Sequence, residues 1–146
     1  MHYHRRVSSG ACVDVSSPVT VTILPLITNN NITADQTICE GTLFSNLSGS
    51  NPVGGAGSGS YGYRWMSSTD NTNWQPAPGS ATSSGYNVTN DSPGTTWYRR
   101  VVYSGTLNTC QSTSNSVTLI CHPAITNNTI SADQTICEGT APATID

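Results

Sequence analysis

Apolar and polar residues alternate most clearly in the middle of the chain, where Tyr61, Tyr63 and Trp65 are interleaved with Gly62, Arg64 and Met66. A period of two is that of a β-strand with one buried face, which nominates Tyr61, Tyr63 and Trp65 as core residues. A glycine-rich run from Asn51 to Gly59 precedes this strand, and Ser67-Ser68-Thr69-Asp70-Asn71-Thr72-Asn73 forms a turn behind it, leading to Trp74. Shorter apolar runs bounded by turn residues predict further strands near 32–38, 43–48, 85–89, 95–103 and 112–120. No segment carries an apolar helical period long enough for an α-helix.

The fold class expected from this pattern is all-β, with about seven short strands in about 98 residues, the spacing of an immunoglobulin-like β-sandwich. Asp91-Ser92-Pro93-Gly94 running into Thr95-Thr96-Trp97-Tyr98 strengthens that expectation. It resembles the corner between strands E and F of such sandwiches, where a tyrosine hydroxyl ties back to the turn. Tyr98 is the candidate corner tyrosine and core residue, and Trp65 the candidate tryptophan of strand C. Two positions after the tyrosine, where a cysteine is expected, stands Arg100, so the usual inter-sheet disulfide is absent.

The pattern also returns along the chain. Residues 27–42 reappear as residues 125–140 with only the fifth and seventh positions of the block changed, at an offset of 125 − 27 = 98. Cys12, Ser16, Val19, Thr20 and Pro25 match Cys110, Ser114, Val117, Thr118 and Pro123 at the same offset, whereas Arg5-Arg6-Val7 matches Arg99-Arg100-Val101 at 99 − 5 = 94. The slip marks an insertion, and hence a surface turn, around Gly105. Residues 1–24 are therefore expected to be the C-terminal strands of one repeat, 25–122 a complete repeat, and 123–146 the N-terminal part of a third. A partial unit buries little of its own apolar face. The sequence reads as a segment of a longer tandem array, with a subunit that shares strands head to tail as the alternative.

Composition narrows the function classes. Charged residues are only 9% of the chain and the net charge is −3, which offers no electrostatic case for nucleic acid. The five cationic side chains are Arg5, Arg6, Arg64, Arg99 and Arg100, and lysine is absent, so no lysine isopeptide cross-link can form within this sequence. No run approaches the roughly 18 apolar residues of a membrane span. Met1-His2-Tyr3-His4-Arg5-Arg6 lacks the apolar core of a signal peptide, so export would be specified elsewhere in a parent chain.

Six segments together have a recognisable look: Ile-Cys-Glu-Gly-Thr at 38–42, the Gly-Ser-x-Pro-x-Gly-Gly-x-Gly run at 49–57, Tyr-x-Tyr-x-Trp at 61–65, Ser-x-Asp-x-x-x-Trp at 68–74, Thr-Thr-x-Tyr-Arg-Arg-Val-Val at 95–102 and Cys-x-Ser-x-Ser-Asn-Ser-Val-Thr at 110–118. They resemble the Ig-like or PKD-like tandem repeats of very large secreted surface proteins of Bacteroidetes-type bacteria. The resemblance implies an extracellular stalk, adhesin or filament at the cell surface, often exported through a type IX route. Its partners would be neighbouring repeats or subunits of the same protein in a linear array, with surface glycans as a further class. It carries no catalytic residue to this chain.

Cysteine holds the chemistry of interest. Cys39 and Cys110 belong to the repeat, since Cys137 and Cys12 are their copies, and an exported chain favours disulfides. The simplest pairing joins Cys39 to Cys110 within one unit. In a standard sandwich, however, they lie at opposite ends, beyond the ~4.4–6.8 Å Cα separation a disulfide needs. The competing pairing joins Cys39 to the next unit's equivalent of Cys110. Cys121, whose counterpart is Ile23, lies outside the pattern and is expected as a buried thiol or an inter-chain link.

Strict alternation from Tyr98 to Val102 turns Arg100 towards the core. A buried arginine needs a carboxylate or several carbonyls. Asp35 and Glu40 are the candidate ion-pair partners, and a bulge that turns Arg99 and Arg100 both outward is the alternative. No metal or other cofactor is expected: Asp70-Asn71-Thr72-Asn73 lacks the carboxylates of a calcium loop, and His2, His4 and His122 have no zinc-ligand spacing. No nucleophile elbow, Cys/His pair or phosphate loop points to catalysis. Trp74 and Tyr86 are the aromatics from which a sugar-stacking platform, and so a carbohydrate-binding module, would be built.

Overall fold

The computed structural model describes residues 1–79, 81–89, 92–130 and 133–145. The described residues are all-β. The N-terminal region forms β1 (His2–Tyr3), β2 (Arg6–Ser9), β3 (Cys12–Val15) and β4 (Val19–Thr20), paired as β1 with β4 and β2 with β3. From residue 25 onward come β5 (Ile32–Thr33), β6 (Gln36–Cys39), β7 (Ser48–Gly49), β8 (Gly62–Ser68), β9 (Gln75–Pro76), β10 (Gly94–Ser104) and β11 (Cys110–His122). A five-stranded sheet runs in the order β6-β11-β10-β8-β9.

The β10–β11 hairpin is the backbone of that sheet. Its residues are rich in β-branched and aromatic side chains, and its turn is made at Gly105, whose φ of 88° a side chain would strain. Pairing is antiparallel from Ser104 opposite Cys110 to Gly94 opposite Cys121. A bulge interrupts it, where Arg100 faces both Ser114 and Asn115 and donates its backbone N–H to the Ser114 hydroxyl at 2.9 Å. On the other side of β11, β6 pairs in parallel, with Gln36 opposite Leu119 and Cys39 opposite His122.

Opposite the sheet lie β5, paired with β7, and an isolated bridge between Leu47 and Tyr86. Trp65, Tyr98, Val117 and Leu119 of the five-stranded sheet pack against Ile32, Leu47, Tyr86 and Val88, with Ala77, Ala81 and Phe44 closing the edges. The Trp65 and Tyr86 rings stack at 5.7 Å, and the Trp65 indole donates to the Ser83 carbonyl at 3.0 Å. Burial, and then the neighbouring Tyr86, push the Tyr98 hydroxyl up to about 12.

Several expectations need correction. The run 32–38 is two strands in different sheets rather than one, because at Asp35 the chain crosses from β7 to β11 and the Asp35 carboxylate caps the Thr118 N–H at 2.7 Å. The run 43–48 is ordered as strand only at its end, and Leu43 points into solvent. Around residue 85–89 the ladder is a single bridge at Tyr86. Tyr61 and Tyr63, expected in the core with Trp65, are half-buried at its rim: the Tyr61 hydroxyl donates to the Gly54 carbonyl, and Tyr63 lies under the Arg100 guanidinium. The tie between Tyr98 and the Asp91 turn falls on a residue outside those described.

Candidate functional site

Arg100 is fully buried, as alternation from Tyr98 requires, but neither Asp35 nor Glu40 pairs with it. Its Nε donates to the Asn30 side-chain oxygen at 3.0 Å, one terminal nitrogen to the Ser84 carbonyl at 2.9 Å and the other to the Ser50 carbonyl at 2.7 Å. Asp35 is engaged at Thr118, and the Glu40 carboxylate accepts from the Ala124 N–H at 3.1 Å. The guanidinium is thus solvated by dipoles, with the Tyr63 ring face 5.3 Å away. Burial pushes its pKa down, while Tyr63 opposes that shift. A Cβ at Gly49 would overlap the guanidinium, so glycine there leaves room for the arginine. Five planar donors suit this work, because each charge-assisted bond offsets part of the desolvation cost. The cluster is a tie between layers: β10 reaches β7 through Ser50, the Tyr86 segment through Ser84 and the β5 approach through Asn30.

Two asparagines that the sequence pattern did not single out complete it. Asn30 also donates to the Ser112 carbonyl at 3.0 Å, and Asn115 accepts from the Ile32 N–H at 2.9 Å while donating to the Ile32 carbonyl at 3.0 Å. Asn30 had a signal available, since it recurs as Asn128. Asn115 had none, its counterpart being Ser17.

The cysteines are placed apart. Cys39 stands opposite His122 at the end of β11, and Cys110 begins that same strand. Twelve residues of strand separate these ends by roughly 40 Å, so the pairing of Cys39 with Cys110 within one unit has no geometry here. Cys12, Cys39, Cys110 and Cys137 form no disulfide with one another, Cys110 being half-buried and the other three exposed. Cys121 is buried between Gly94 of β10 and Ile38 of β6. At 3% exposure it is the buried thiol of the two expectations, and a link to a second chain would first need the sheet to open.

The two ends of the unit are shaped differently. At the β11 exit, the Glu40 N–H donates to the His122 carbonyl at 2.8 Å, and the Glu40 carboxylate holds Ala124. At the entry, Gly55 N–H donates to the Pro25 carbonyl at 3.0 Å, Thr28 bridges Val53, and Ile27 is buried against Gly55. Leu24 lies so close to Gly105 that a Cβ there would meet its Cδ1 at 2.9 Å.

The remaining surface features are modest. Arg99 covers one face of the Trp74 ring at 4.1 Å and Tyr86 is buried, so the two do not form an open platform together. A shallow polar groove lined by Ser67, Asn73, Gln75, Pro76 and Thr96 runs beside them. Asp70 shapes its own turn: its carboxylate accepts from Asn73 N–H at 2.7 Å, Thr72 N–H at 2.8 Å and the Ser68 hydroxyl at 2.8 Å. These bonds, led by those from Asn73, hold its pKa well below the usual carboxylate range. Among the described residues, no three His, Cys, Asp or Glu side chains gather to hold a metal.

Residues 28–123 match a family model that covers the unit from its first bridge to the residue after β11. The chain belongs to that family, described as a domain of unknown function, DUF8696. No curated protein matches the chain. No solved structure matches it either.

Proposed function

We propose that this DUF8696 unit is a structural repeat of an extracellular bacterial adhesin stalk or surface filament, an immunoglobulin-like sandwich repeated with a period of about 98 residues and without catalysis. The strand order β6-β11-β10-β8-β9, with a parallel first strand and an opposing layer of β5, β7 and Tyr86, supports the immunoglobulin-like reading.

The observation that carries the proposal is that the unit's local bonding recurs in the flanking copies. Gln36 and Ser45 exchange two hydrogen bonds of 3.0 and 2.8 Å, and Gln134 and Ala143 exchange the same two at 3.1 and 2.7 Å. The Thr42 hydroxyl donates to the Cys39 carbonyl at 2.6 Å, as Thr140 does to Cys137. At the other end, Arg5 N–H donates to the Ser16 hydroxyl at 2.9 Å, as Arg100 does to Ser114. β11 then runs into the following unit with no spacer beyond Pro123, so β-units would follow one another directly as in a rod.

The test is small-angle scattering on polypeptides of one, two and four consecutive units. The maximum dimension should rise by a constant increment per unit, and a compact particle at four units overturns the rod. Head-to-tail strand sharing between copies is the second reading, because residues 134–137 copy β6 and residues 21–24 copy the part of β11 that β6 pairs with. It predicts concentration-dependent polymers of a chain with a native mass of 15.3 kDa.

A further inference from the structure

The two ends of the unit carry complementary halves of one junction. By the offset of 98, Leu24 is the counterpart of His122 and Leu26 the counterpart of Ala124. His122 is the register partner of Cys39, and Ala124 is held by Glu40, the residue after Cys39. Leu24 touches Gly105 in the β10–β11 turn, and the Leu26 carbonyl lies against Gly54, where a Cβ would collide with it. Gly105 follows Ser104, which stands opposite Cys110. One short stretch of chain therefore touches the Cys39 turn of the unit it leaves and the Cys110 turn of the unit it enters.

We propose that Cys39 of each unit forms a disulfide with the Cys110 equivalent of the unit that follows, stapling the rod at every junction. The proposal rests on the tandem reading above and adds its covalent chemistry. Both thiols are accessible at their own ends, Cys39 exposed and Cys110 half-buried, and each recurs at the repeat offset, as Cys137 and Cys12. The pairing also accounts for their being far apart within a unit. The counterpart of Cys39 falls at 110 + 98 = 208 and that of Cys110 at 39 − 98 = −59, so neither partner lies within these 146 residues. Bond formation is an exchange with a small-molecule disulfide such as oxidised glutathione: one thiolate attacks it to give a mixed disulfide, and the second thiolate displaces the remaining thiol. Two cysteine thiols become one disulfide, and the oxidant leaves as two thiols carrying both electrons and both protons.

The experiment uses this chain continued after Asp146 by a second copy of residues 49–122, which completes the next unit, equilibrated with oxidised and reduced glutathione. Non-reducing peptide mapping should show Cys39 joined to a Cys110-type peptide, with two fewer thiols alkylated than in the reduced protein. A protease that cuts on both sides of each Cys110 gives the two copies one peptide sequence, so the decision comes from substitutions: Cys110→Ser in the first unit should leave the linked peptide in place, and Cys39→Ser should abolish it. Loss of the link in Cys110→Ser places the bond within one unit and overturns the proposal. So does a Cys39 that stays alkylatable while tryptophan fluorescence shows both units folded. Scattering of the reduced protein reports the rod independently of the bond, so an extended, unlinked particle rejects the staple alone. A second unit that stays unfolded rejects the tandem reading itself.

Discussion

Val117 and Val19 occupy the same position of the repeat, yet Val117 is 3% exposed and Val19 is 63% exposed. The contrast is the same at the other flank, where Ile32 is 3% exposed and its copy Ile130 is 79% exposed. Polar contacts do not differ in this way, since the Gln36–Ser45 and Gln134–Ala143 pairs have the same geometry. The difference separates two kinds of interaction. Bonds between residues a few positions apart need only their own segment, and they form in the copies as in the whole unit. Burial needs the opposing layer, and neither flank carries here a counterpart of residues 49–95, which supply Trp65 and Tyr86. Identical valines and isoleucines thus contribute roughly 1.5–3 kcal/mol each in one place and little in the other.

Paired substitutions at equivalent positions test that contrast. The largest difference is expected at Leu119 and its copy Val21: Leu119→Ala should cost about 2–5 kcal/mol in urea unfolding followed by Trp65 fluorescence. Val21→Ala should stay within about 0.5 kcal/mol, and equal losses at the two sites would remove the contrast. Next comes Arg100, where Arg100→Met leaves the Ser50 and Ser84 carbonyls and the Asn30 side chain without donors. A loss of about 3 kcal/mol is expected, against near neutrality for Arg5→Met. A smaller penalty, about 1–3 kcal/mol, should follow Gly49→Ala, which pushes on the guanidinium. Combining it with Arg100→Met should cost less than the sum, because the clash then disappears.

The smallest effect is electrostatic. Asp70 is depressed in the folded unit, so its contribution is fully present above its ordinary value near 3.8 and is lost as pH falls below that towards the folded value. The stability gap between the protein and Asp70→Asn should be constant from neutral pH down to about 4 and close below it. A gap that instead narrows between pH 5 and 8 would point to another group.

The alternation at 61–65 and the run at 95–103 located β8 and β10, because those signals are written in consecutive residues. The register slip before Cys12 differs from the expected one. In the structure Tyr3 stands opposite Val19 as Tyr98 stands opposite Val117, an offset of 98 − 3 = 95 rather than 94. Arg5, rather than Arg6, is therefore the counterpart of Arg100. Identity supports the same register, since Tyr3, Arg5, Val7, Ser9 and Gly10 match Tyr98, Arg100, Val102, Ser104 and Gly105 at an offset of 95, against three matches at 94.

The side-chain pattern carries the all-β class, the recurrence at 98 residues and the inward phase of Tyr98 and Val102, and leaves Arg100 open between burial and an outward-turning bulge. These follow from steric preferences and from the period-two geometry of a strand, which act over a few residues. What meets Arg100 is set by the folded arrangement, since Ser50, Ser84 and Asn30 lie 50, 16 and 70 residues away in the chain. The same holds for the cysteines: the parallel pairing of β6 on β11 sends Cys39 to the far end from Cys110. Carbonyls and parallel registers leave no mark in side-chain identity, because every residue has a carbonyl and any strand edge can accept a partner.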